Sequence, residues 1–137
     1  MRLMISEILE QASKLKSKNE KINFLRQNYS KQLHFILEHV FNPNVKFLLP
    51  ESDPPYTPMP TGEGHGMLYS EARKMYLFVE GGHPTLNQMR RESLFITLLE
   101  SVDPKDAKLL LSVKNKKLPY KNITKDLIQE AFGDYNG

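Results

Sequence analysis

The stretch LFITLLESVDPKDAKLLLSVKNKKLPYKNITKDLIQEAF, residues 94–132, carries the start and stop signals of three helices and the two corners between them. Its first part continues a helical pattern that opens at Thr85, expected as the cap, with Leu86, Met89, Ser93, Phe95, Ile96 and Leu99 facing inward. Asp103 followed by Pro104 reads as an N-cap with proline in the first turn, where a helix has no use for the missing N–H. The last helix starts at Thr124, buries Leu127, Ile128, Ala131 and Phe132, and ends at Gly133. The period of 3.6 rather than 2 makes the stretch helical throughout.

Working outward, the same period recurs near the N-terminus. Leu3, Ile5, Ile8, Leu9, Ala12 and Leu15 form one apolar stripe, and Asn19 is placed to cap a short helix over residues 20–27. Ser30 opens another, with Leu33, Ile36, Leu37, Val40 and Phe41 buried, and Pro43 stops it near Asn42. Residues 42–66 break the pattern, holding six of the nine prolines and three of the seven glycines. There VKFLL reads as a short extended piece, and PESDPPYTPMPTGEG as a wrapping or exposed loop. Beyond it, Ser70 is expected to cap a helix with Met75, Tyr76, Phe78 and Val79 inward, stopped by Gly81-Gly82. The expectation is an all-α fold: a single compact domain over residues 1–137, about seven helices, with helical halves 1–42 and 67–137 joined by a Pro/Gly-rich loop at 43–66.

Composition removes whole classes of function. With no cysteine, disulfides and thiolate zinc sites are excluded, and a cytoplasmic setting is the simplest reading. No apolar run approaches the roughly 18 residues of a membrane span, so no membrane partner is expected. The N-terminal MRLMISEILEQASKL lacks the continuous apolar block of a signal peptide. No phosphate-binding loop with its lysine and no H-E-x-x-H pair occurs. His34 and His39, five apart on one helix, point about 140° away from each other, which is poor geometry for a shared metal. His65 in GEGHG, with Glu63, lacks a third group to complete a site. No catalytic residue, metal or cofactor is therefore expected.

Charge is the remaining signal. Net charge is +3, but residues 108–125 hold six lysines and no acid. Lys14, Lys16, Lys18 and Lys21 lie at the first helix–helix turn, and Lys114, Lys116, Lys117, Lys121 and Lys125 at the last. Such corners are often merely solvated. They can also point ammonium groups and a helix N-terminus at phosphates.

The order of elements adds weight to the second reading. ILEQASKLKSKNEKINFLRQNYSKQLHFILEHVFNP near the start, and residues 94–132 near the end, resemble the N-terminal helical DNA-binding domain of ATP-dependent DNA ligases, in its short bacteriophage form. The likeness lies in a helix, a lysine turn, a helix ending in an aromatic-proline corner and, later, a basic corner before a final helix. In that family the basic corner and the start of the next helix touch the DNA backbone. The resemblance implies the same for Lys116, Lys117, Leu118 and Thr124. The family's glycine after that corner is absent here, with Lys121 or Asn122 near its place. The K-x-D-G tetrapeptide of ligase adenylation is absent too, and the length leaves no room for the other ligase domains. A free-standing module of phage type is implied, in the host cytoplasm.

The expected function is thus non-catalytic binding of double-stranded DNA through Lys14, Lys16, Lys18, Lys21, Lys114, Lys116, Lys117, Lys121, Thr124 and Lys125. The alternative is an adaptor or inhibitor that binds a host or viral protein through the acidic middle of the chain and the proline-rich loop, with Pro54, Pro55, Tyr56 and Pro58 in contact.

Overall fold

The computed structural model describes residues 2–133. Seven α-helices follow in order: α1 (Ile5–Lys14), α2 (Lys18–Gln27), α3 (Lys31–Phe41), α4 (Met67–Glu71), α5 (Gln88–Glu100), α6 (Pro104–Val113) and α7 (Lys125–Phe132). A 3₁₀ segment, Ala72–Phe78, continues α4. The fold is all-α. Among the described residues the nearest thing to a sheet is one antiparallel bridge, Phe47 with Val79. There the Leu48 N–H donates to the Phe78 carbonyl at 2.7 Å and Glu80 to Lys46 at 2.8 Å.

One apolar cluster joins both halves of the chain, from Ile5, Ile8 and Leu9 of α1 through Leu33, Ile36 and Leu37 of α3 to Phe95, Leu110 and Phe132. The stripes of α1, α3 and α7 are buried as their periodicity predicts. Ser30, Asp103 and Thr124 cap α3, α6 and α7 as expected, each accepting from a backbone N–H. Other caps differ. Ser17, not Asn19, caps α2, because with Glu20 three residues on it closes a reciprocal capping box. Asn87, not Thr85, caps α5.

That shift in α5 has a polar cause. Arg91 takes the inward position, 5% exposed. Its guanidinium donates to the carbonyls of Leu77, His83 and Leu86 and to the Gln88 side chain, gathering the loop before the helix. Met89 is consequently turned outward, 84% exposed, rather than buried. Likewise the N-cap of α4 is not Ser70 but the left-handed Gly66 (φ 80°), four residues earlier, and the tighter 3₁₀ winding that follows leaves Tyr76 half exposed.

The proline-rich segment is a strap laid over α5 and α6. Thr57 N–H donates to Glu100 Oε2 at 2.7 Å, and Tyr56 packs on the core. In the GEGHG loop Gly64 answers to close approach, since a Cβ there would fall 2.5 Å from the Asp103 nitrogen, while Gly62 and Gly66 answer to left-handed backbone at φ 93° and 80°. His65 is occupied by the Arg2 carbonyl, 2.8 Å from its Nε2.

Candidate nucleic-acid interface

The lysines at the two corners separate into three groups once the chain folds. Three of them serve the interior. Lys21 is buried, and its ammonium donates to the Leu15 carbonyl at 2.5 Å, closing the end of α1. Lys114, 5% exposed, donates to the carbonyls of Pro50 (3.0 Å) and Glu51 (2.7 Å) and to Asn115 Oδ1. Burial pulls its pKa below the usual lysine value, against the raising influence of Asp53 and Glu51. Lys116 reaches the other way, to the carbonyls of His39 (2.8 Å) and Asn42 (2.6 Å). Those carbonyls end α3 and have no partner within it. Burial lowers the Lys116 pKa as well. Each of these three ammonium groups, expected as phosphate contacts, donates to backbone oxygens of the chain itself.

The backbone explains why neighbours diverge. Lys117 N–H donates to Ser112 O at 3.1 Å, and Lys116 N–H to Val113 O at 2.9 Å. This 6→1 and 5→2 pair is a Schellman motif closing α6, and it puts Lys116 in the left-handed position usually given to glycine. Its φ is 61°, the one positive value outside glycine among the described residues. The turn sends the Lys114 ammonium to the strap and the Lys116 ammonium to the end of α3, while the exposed Lys117 lines both a cavity shared with Lys114 and Lys116 and a cleft shared with Lys108.

The second group gathers where α1, α2 and α7 meet. Asn122 Nδ2 donates to Ser13 O at 2.5 Å, docking the approach to α7 on the end of α1. Lys18 pairs with Glu130 of α7 at 2.6 Å, and Arg26 of α2 donates to the carbonyls of Glu130 and Ala131. A cavity of 220 Å³ results, lined by Lys18, Lys21, Asn122, Thr124, Asp126 and Leu127. Lys16 and Lys121, close in sequence to the lining residues Lys18 and Asn122, are both exposed and without an ion-pair partner among the described residues. Lys14 is paired only with Glu10 at 3.4 Å across an exposed helix face, a contact worth well under ~1 kcal/mol and easily exchanged. Lys125 opens α7 but borders a different cavity, with Phe41 and Pro43 at the end of α3.

Of the alternative contact residues, Pro54 is half buried against Phe95 and Ile96, and Tyr56 is packed. Pro55 and Pro58 are exposed. Sequence reasoning missed Lys108 as a site residue, although Lys108, Ser112 and Asn115 recur at 4 and 3, the spacing of one exposed helix face. Among the described residues no group of three or more His, Asp or Glu is placed to hold a metal, and no helix is long and apolar enough to cross a membrane.

Residues 8–120, α1 through the basic corner after α6, fit the model of a family described as of unknown function (DUF6433). Neither the curated proteins nor the solved structures give a significant match.

Proposed function

We propose that this chain, which belongs to the family of unknown function DUF6433, binds double-stranded DNA through its backbone phosphates, without catalysis. The contact surface is the corner where the α1–α2 turn meets the start of α7. Lys14, Lys16, Lys18 and Lys121 supply the charge, and Thr124 and Lys125 the helix start. One observation carries the reading: the Asn122–Ser13 bond holds the basic turn beside the N-terminal end of a helix capped by Thr124. The dipole of that end favours an anion, and backbone N–H groups of the first turn are free of intrahelical partners. The likeness of both chain ends to ligase DNA-binding domains supports it, with the contact moved from Lys114–Lys117 toward the start of α7.

The charge left at the corner sets the expected strength. Neutralising Z phosphates gives a log–log salt slope of about −0.9Z. With Lys21, Lys114 and Lys116 donating to carbonyls and Lys18 paired with Glu130, Lys14, Lys16, Lys121 and Lys125 remain, and with three or four of them engaged the slope should be roughly −3. Fluorescence anisotropy of a labelled duplex, titrated at several salt concentrations, measures it. A flat response contradicts the proposal. Of the four residues named for the adaptor reading, Pro54 and Tyr56 are partly buried in the pinned strap, and no further observation favours it.

A further inference from the structure

Lys117 belongs to none of the contacts above. It leaves the corner on the other side and lines a cleft of 480 Å³ with Lys108, Leu111 and Ser112 of the α6 face, and with Asp53 and Tyr56 of the strap. This volume lies within the ~300–1,000 Å³ of small-molecule sites. The corner cavity, at 220 Å³, lies below it. The two ammonium groups and the hydroxyls of Ser112 and Tyr56 make no hydrogen bond or ion pair among the described residues.

The placement of Lys117 is built into the backbone. It follows directly on Lys116, whose left-handed conformation is unfavourable for a side chain with a Cβ and is held by two ammonium–carbonyl bonds. A non-glycine residue fixed in that region by its surroundings is a recurrent mark of functional sites. Here its effect is to aim the next side chain at the cleft. The strap wall is fixed too, since Asn115 and Lys114 hold the Glu51 carbonyl. Asp53 also lines the neighbouring cavity, where its charge acts on Lys114 without an ion pair between them among the described residues.

We infer that this cleft binds the phosphomonoester of a small aromatic ligand of the nucleoside monophosphate class, with Lys108 and Lys117 on the phosphate and Tyr56 and Leu111 beside the ring. Two lysines and the Ser112 hydroxyl match a dianion with several acceptor oxygens better than the single charge of a phosphodiester. The aromatic wall accounts for a cleft larger than a phosphate alone would fill.

The test is an amide-resolved NMR titration of the whole chain with adenosine monophosphate, with adenosine and inorganic phosphate as separate arms. The expected result is shifts centred on Tyr56, Lys108, Ser112 and Lys117, with the nucleotide at least tenfold tighter than either fragment. Lys108→Ala and Lys117→Ala, each checked for an unchanged helical spectrum, weaken it at least tenfold. Charge reversal at Lys16 and Lys121 leaves nucleotide affinity in place, so failure of the DNA reading and failure of this one are separable. The inference is overturned if either fragment binds as well as the nucleotide, if the shifts fall elsewhere, or if the lysine variants bind unchanged. It is overturned equally if nucleotide affinity falls with the DNA corner.

Discussion

Substitution of Lys116 separates two opposed energies at one residue. The ammonium of Lys116 ends α3 with bonds of 2.8 and 2.6 Å to carbonyls that have no helical partner. Hydrogen bonds to charged groups contribute about 1.5–3 kcal/mol each when buried, and water reaches this half-buried pair, so about 2–3 kcal/mol for both together is a reasonable figure. Against this stands the left-handed backbone at φ 61°, unfavourable by about 1 kcal/mol for any residue with a Cβ. Lys116→Met keeps the strain and loses the clamp, and should cost the full 2–3 kcal/mol. Lys116→Gly loses the clamp but also the strain, and should cost about 1 kcal/mol less. Urea unfolding followed by circular dichroism resolves both differences, with unchanged m-values confirming a folded-state effect. If Lys116→Met is as stable as the parent chain, the clamp does not contribute. If the two variants are equally unstable, the left-handed strain is absent.

Two further outcomes follow from buried groups. Asp106 is fully buried; its Oδ1 accepts the Ser6 N–H at 3.0 Å, while Oδ2 has no hydrogen-bond partner among the described residues. Burial raises its pKa, outweighing the hydrogen bonds from Ser6, with Asp103 and Glu7 adding to the rise. A raised folded pKa means its contribution is fully present below the unfolded value near 3.8 and is lost as pH climbs through the folded value. Asp106→Asn should therefore raise the melting temperature at pH 7, by the equivalent of about 1 kcal/mol, and the gain should vanish toward pH 3.5. A constant difference across that range would refute the assignment. Gly64→Ala should destabilise by about 1–3 kcal/mol, because the added methyl meets the backbone of Asp103 and Val102; a neutral thermal melt would show that this close approach is not real.

Much of the fold was legible because it rests on local chemistry. Caps such as Ser30, Asp103-Pro104 and Thr124 act within one turn, and the stripes of α1, α3 and α7 need only a single core to face. The misplaced elements depend on groups distant in sequence. Met89 points outward because Arg91 gathers carbonyls from residues 77–86, and α4 starts early because a left-handed glycine permits it. The site was legible in charge but not in direction. Lys114, Lys116 and Lys117 look alike in sequence, yet the fold gives the first two carbonyl partners up to 77 residues away and leaves Lys117 exposed. That the end of α7 is held by Arg26, and its approach by Ser13, is tertiary information no local pattern carries.

Duplex retention by charge-reversed variants in dilute buffer tests the central claim most directly. Lys16→Glu with Lys121→Glu, at the junction of the α1–α2 turn and α7, should weaken binding at least tenfold, while Lys108→Glu on the far cleft should leave it within about threefold. Equal losses from both, or none from the first pair, would contradict a DNA contact at that corner.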